Sequence, residues 1–179
     1  HVIGMGGMLD SSRFRYFLSK ALQKAGYPAT PTDIEGMVIG GHSDKTMVPL
    51  GSIATYKGIP VSHLLSEAEL EDAIAQTKVG GATLTKLLGT SAWYAPGAAA
   101  GELVKSIITD GKKLIPCCVY LEGEYGEDDL CIGVPVILGA DGVEKIVELK
   151  LDGVEKDRFA ESVAAARNTQ NNLGDALKK

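Results

Sequence analysis

The stretch GMGGMLDSSRFR, Gly4–Arg15, decides how the rest of the chain is read. It sets a glycine cluster ahead of a carboxylate, Asp10, and an arginine, Arg13. Three readings compete: a dinucleotide-binding turn, an ordinary helix start, or part of a catalytic site. A dinucleotide fingerprint needs G-x-G-x-x-G between a strand and a helix, with an acidic residue about 20 positions on. Gly4, Gly6 and Gly7 lack that spacing, and Met8 and Leu9 occupy the region of the third glycine. Close backbone packing where a segment enters a helix accounts for the cluster better. Asp10 and Arg13 share a face of that helix. Taken alone they read as an intrahelical ion pair, with the acid near the positive helix start.

His42 changes the weighing. It stands in GGHSDKTMVPL, Gly40–Leu50, just past MVIGG, a short apolar run that predicts a buried strand. Glycines before a histidine at a strand end let backbone or ligand approach closely. A histidine so placed suits acid–base work. Neutral imidazole takes a hydroxyl proton as hydride leaves carbon, and a buried carboxylate on its other nitrogen fixes the tautomer. An arginine binds a carboxylate through two parallel hydrogen bonds, which lysine cannot copy. Such chemistry suits oxidation of an alcohol that carries a carboxylate, and Asp10, His42 and Arg13 can fill these roles.

Outward from these residues, the spacing predicts a helix from about Met8 to Ala25, stopped by Gly26 and Pro28. Ser52–Val61 reads as extended. Ser66 with Glu69 forms a capping box, so a helix follows to about Leu88, bent or closely packed at Gly80-Gly81. SAWYAPG, Ser91–Gly97, reads as a loop ahead of a helix. Three strands follow, LIPCCVYLEG, DLCIGVPVILG and VEKIVELKL, in an antiparallel meander. A last helix presents Phe159, Val163, Ala166, Leu173 and Leu177 to the sheet. Strands and helices do not alternate regularly, so the fold class is α+β: antiparallel strands packed with long helices.

The 179 residues suit one domain, and the net charge of −5 leaves no basic footprint for nucleic acid. No apolar run approaches the roughly 20 residues of a membrane span. Three cysteines, Cys117, Cys118 and Cys131, without a repeated spacing, read as reduced core residues of a cytoplasmic protein. No metal site is expected. The acidic turn Glu122–Asp129 lacks the calcium-loop pattern and reads as a solvated hairpin end. Arg15 reads as a packing or interface residue, His63 as structural or solvent-facing, and Trp93 and Tyr94 as packing residues near the site.

The pattern LDSSRF followed by GGH resembles the substrate-binding half of the lactate and malate dehydrogenase family. The resemblance runs on through LLGTSAWYAPGAAAGELVKSI and CCVYLEGEYGEDDLCIGVPVILGADGVEKIVEL into the last helix. The glycine before His42, LEGEYG and GVPVILG are more similar to the malate branch than to the lactate branch. The resemblance implies that Asp10 and His42 form a proton relay and that Arg13 binds the substrate C1 carboxylate. It implies that Ser91 and Ala92 line the substrate and that Pro96 lines the nicotinamide of NAD.

It also implies a partner domain. The family places an NAD-binding domain first, with the glycine-rich turn and further arginines on a mobile loop, so residues 1–179 are expected to be the C-terminal, substrate-binding domain. The NAD-binding half would precede His1, and this part alone would be inactive. Malate and oxaloacetate are the implied substrates, within the tricarboxylic acid cycle, in a homodimer or homotetramer. Two departures stand out: a segment around GYPATPTD that lengthens a surface turn, and a SAWYAPG loop one residue shorter than in many relatives. The alternatives are a lactate or other 2-hydroxy-acid dehydrogenase, a non-catalytic assembly module, and a hydrolase using Ser43 or Ser91. The last lacks any G-x-S-x-G elbow.

Overall fold

The computed structural model of the chain describes residues 2–177, with side chains through residue 173. The chain runs α1 (Gly6–Lys24), β1 (Ile34–Glu35), β2 (Val38–Gly40), β3 (Met47–Pro49), β4 (Thr55–Tyr56), β5 (Ile59–Pro60) and α2 (Glu67–Leu88). It continues with α3 (Tyr94–Ile108), β6 (Lys113–Glu122), β7 (Asp128–Gly139), β8 (Gly142–Ile146) and α4 (Gly153–Leu177). The architecture is α+β, as the order of elements implied.

The main sheet is built on β7. It pairs along its length with β6, Cys117 opposite Val134 and Val119 opposite Ile132. It also pairs with β8 through Val136 and Ile146, and with β2 at a single point, Gly40 opposite Gly133. A side chain at Gly133 would run into the carbonyl oxygen of Gly40, so this crossing depends on glycine. The β6–β7–β8 part is the expected antiparallel meander. The short strands β1, β4 and β5 form a second small sheet.

Apolar burial divides into two clusters. One lies on the main sheet and joins Ile39, Leu121, Leu130, Val134, Phe159 and Val163. The other joins Phe14, Leu18 and Leu22 of α1 with Ile34, Val38, Ala73 and Ile74. Met8 packs against the first cluster and Phe14 belongs to the second. Asp10 therefore sits where α1 passes from one cluster to the other.

Several boundaries differ from the sequence reading. Helix α1 starts at Gly6, so Asp10 lies beyond its first turn and the helix-start argument does not apply to it. Helix α2 has the expected cap, with Ser66 N–H donating to Glu69 at 2.8 Å, and it runs through Gly80-Gly81 without a break. The glycines mark close packing: a Cβ on Gly80 would lie 3.2 Å from Phe17, and one on Gly81 3.3 Å from the Arg13 guanidinium. Helix α3 begins at Tyr94, so half of SAWYAPG is helical. Pro96 is tolerated there because first-turn amides have no intrahelical acceptor. Ser52–Val61 folds into the β4–β5 hairpin, and β8 ends at Ile146 rather than Leu151.

Exposure corrects other expectations. Trp93 and Tyr94 are 60% and 84% exposed and do not pack in the body of the domain. Leu173 is exposed, unlike Phe159 and Val163, and Leu177 falls outside the described side chains. Cys117 is buried, and burial pushes its thiol up to about 12, whereas Cys131 is exposed and not a core residue. Among the described residues no helix is long and apolar enough to cross a membrane.

Candidate active site

Asp10 is the centre of the site. Its side chain is 2% exposed, and its two oxygens serve different partners. Oδ1 accepts from Arg13 Nη1 at 2.7 Å. Oδ2 accepts from His42 Nδ1 at 2.6 Å. The Asp10–Arg13 ion pair and the Asp10–His42 hydrogen bond therefore share one carboxylate. A carboxylate only accepts, so Nδ1 carries the proton and Nε2 is the nitrogen left to exchange one. The hydrogen bond His42 donates to Asp10 raises the pKa of His42 above its ordinary 6.5, against the opposing effects of burial and of Arg13.

The framework explains how residues distant in sequence meet. Ser11, one position past Asp10, accepts from Val38 N–H at 2.9 Å through its buried hydroxyl, tying β2 to α1. Strand β2 then delivers Gly40, Gly41 and His42. The glycine cluster of the opening stretch packs as its chemistry suggested: Gly4 against Cys118, Gly7 against the Pro116 carbonyl, and Gly6 against the imidazole of His42. A Cβ on Gly6 would lie 2.7 Å from His42 Cγ, so Gly6 serves the site by giving the ring its place.

A cavity of about 410 Å³ opens beside these groups. Arg13, His42, Ser91, Ala92 and Pro96 all line it. Every sequence-selected site residue thus converges here, with Asp10 buried directly behind. Lys78, Gly81, Ala82 and Thr85 of α2 complete the wall and were not anticipated. Their spacing of three and four along α2 is the signal that would have found them. Burial and the nearby Arg158 charge hold Lys78 below its ordinary pKa. Arg13 is held between Asp10 and the bare face of Gly81, which aims the rest of its fork at the cavity.

Arg15, His63, Trp93, Tyr94 and the acidic turn, set aside from the sequence, stay outside this cavity, whereas Asp44, which reads from the sequence as a solvated loop charge, lines it. Arg15 bonds the Ser11 carbonyl at 3.4 Å, and His63 is exposed. In the acidic turn Glu127 pairs with Arg167 at 2.7 Å. Among the described residues no three His, Cys, Asp or Glu side chains converge as metal ligands.

Residues 7–175 match the lactate/malate dehydrogenase alpha/beta C-terminal domain. The chain is 64% identical over 172 residues to a malate dehydrogenase of Parabacteroides distasonis, covering 96% of this chain and 53% of that protein. It is 66% identical over 168 residues to a malate dehydrogenase of Bacteroides fragilis, covering 94% and 52%. Among solved structures, the malate dehydrogenase of Salinibacter ruber superposes with a TM-score of 0.91 at 43% identity, over 99% of this chain and 56% of that one. The lactate dehydrogenase of Cryptosporidium parvum, solved with lactic acid and nicotinamide adenine dinucleotide, gives a TM-score of 0.89 at 32% identity, over 97% and 55%. The chain thus spans about half the length of the relatives it matches. It belongs to the lactate/malate dehydrogenase family, in which it corresponds to the α/β C-terminal domain.

Proposed function

We propose that the protein carrying this chain interconverts (S)-malate and oxaloacetate with NAD, and that residues 1–179 form its substrate-binding, catalytic domain. The observation that supports this most is the Asp10 carboxylate shared by Arg13 and His42 at 2.7 and 2.6 Å on the wall of one cavity. It couples a carboxylate clamp to an acid–base group, which is what a 2-hydroxy acid requires.

In the oxidative direction neutral His42 accepts the C2 hydroxyl proton at Nε2. Asp10 stabilises the resulting imidazolium and keeps the ring in one tautomer. In the reductive direction protonated His42 polarises the ketone and returns the proton. Arg13 holds the C1 carboxylate, and Ser91 and Ala92 shape the space around the substrate. NAD, when bound, takes or supplies the hydride. Pro96, which lines the cavity beside His42, would meet it along one wall, and the remaining contacts would come from an NAD-binding domain of the same protein.

The malate relatives at 64% and 66% identity favour malate over lactate as substrate. We assign the protein to the cytoplasm, with its cysteines free, and to a homodimer or homotetramer. The exposed Leu87, Leu88, Trp93 and Tyr94 suit burial in such an assembly. Expressing the full-length protein and following NADH oxidation tests the reading. Turnover with oxaloacetate well above that with pyruvate is expected. Preference for pyruvate would move the assignment to lactate, and activity with neither would leave a module of assembly alone.

A further inference from the structure

Strand β2 carries the chain to His42, and a buried hydroxyl grips it at each end. At the start, Val38 N–H donates to Ser11 Oγ at 2.9 Å. At the far end, Gly41 N–H donates to Ser162 Oγ of α4 at 2.8 Å, and also to the Thr46 carbonyl at 3.2 Å. Ser162 is fully buried. Gly40 is held at φ +84°, where a Cβ would lie 2.7 Å from Ser162 Oγ and 2.6 Å from the Thr46 carbonyl oxygen. Gly40 is therefore explained by the approach of α4 and of the Thr46 carbonyl, and Gly41 by the Thr46 side chain, which a Cβ there would overlap, rather than by the approach of a ligand.

Helix α4 is itself fixed. Glu155 in its first turn accepts from Ser52 N–H at 2.9 Å and from Ser52 Oγ at 2.6 Å. Phe159 and Val163 lie in the sheet core. Arg167 reaches Glu127 at 2.7 Å, and Gln170 donates to the Asp129 carbonyl at 2.7 Å. The hydroxyl of Ser162 is thus presented from a rigid element. On the other side Gly6 lies against the imidazole.

From this we infer that Ser162 is a positioning residue for the acid–base histidine, its hydroxyl holding the Gly41 amide so that His42 Nδ1 meets Asp10. The inference deepens the dehydrogenase reading and rests on it for its kinetic consequence. Its geometric consequence does not depend on any substrate. The charged and titratable groups around His42 are Asp10 and Arg13 from α1, Asp44 from its own loop, Lys78 from α2 and, on the side facing α4, Tyr120 of β6 and Cys131 of β7. Ser162 carries no charge, so a change there acts on His42 through geometry.

The test compares Ser162→Ala, Ser162→Cys and, as a core control on the same helix, Val163→Ala in the full-length protein. Ring-proton NMR follows His42, one of three histidines in this chain. The account expects its titration midpoint to fall toward the ordinary value in Ser162→Ala and part-way in Ser162→Cys, and to stay put in Val163→Ala. For oxaloacetate reduction, kcat falls on the order of 10-fold to 10²-fold in Ser162→Ala with KM nearly unchanged, the size of effect a small misplacement of a reacting group produces. An unshifted His42 midpoint in a folded Ser162→Ala or Ser162→Cys protein overturns the inference, as does an equal shift in Val163→Ala. If neither serine variant folds, amide exchange in the unaltered protein decides. A Gly41 amide as slow as those of β7 supports the inference, and a fast-exchanging one overturns it. An unaltered protein without dehydrogenase activity would defeat the functional reading while leaving the NMR comparison able to decide the role of Ser162.

Discussion

The two walls of the cavity are built in opposite ways. On one, Asp10 is buried between two apolar clusters, both of its oxygens are paired, and the strand bringing His42 is tied to α1 and α4. On the other, Ser91 and Ala92 belong to the connection between α2 and α3, where Trp93 and Tyr94 stand in solvent. Groups that move protons tolerate little displacement, so they sit on packed elements. On the proposed reading the wall that faces the substrate sits on a connecting segment, the kind of element that commonly carries specificity.

The largest test of this contrast is His42→Asn in the full-length protein. Turnover of oxaloacetate should drop by on the order of 10²–10⁴-fold, the usual contribution of a general acid–base group. NADH affinity, read by fluorescence titration, should hardly change. Unchanged turnover would remove His42 from the mechanism. Next comes Asp10→Asn, which keeps the shape of the buried side chain but removes its charge. It should return the His42 titration toward its ordinary value and lower kcat. A His42 midpoint still as high as in the parent would mean that Asp10 is not its cause.

Smaller changes sharpen the picture. A Cβ on Gly81 would lie 3.3 Å from Arg13 Cζ, so Gly81→Ala should displace the guanidinium. The expected result is a KM for oxaloacetate about tenfold higher, equivalent to about 1.4 kcal/mol, with kcat little changed. The smallest effect belongs to the exposed wall. Trp93→Ser should leave the stability of this domain within about 0.5 kcal/mol in a denaturant titration. A larger loss that does not depend on protein concentration would mean that Trp93 packs in the domain after all, and one that does would place it at a subunit interface.

What the sequence made legible follows the range of the interactions. Asp10, Arg13 and His42 were readable because residue type, spacing and flanking glycines are local signals. The capping box at Ser66 and Glu69 was readable for the same reason, since both partners lie in one turn. Gly81 and Ser162 were not, because each acts on a residue far away in the chain, Arg13 and Gly41. Strand β3 and the β4–β5 hairpin escaped because two or three residues carry no periodicity. Trp93, Tyr94 and Leu173 were misplaced because an apolar side chain does not announce what covers it.

The stability linked to His42 has a definite sign. Its pKa is raised in the folded chain, so the contribution is complete below 6.5 and is lost as pH rises through the folded value. On the proposed reading the same proton controls the reaction, which makes a pH profile the most direct test of the central claim that His42, held by Asp10, is the acid–base group. We would measure kcat/KM for oxaloacetate reduction and for malate oxidation across pH 5–10. The account predicts that reduction falls and oxidation rises through one shared midpoint above 6.5, and that both limbs disappear in His42→Asn. Profiles that stay flat, or that keep their limbs without His42, would contradict it.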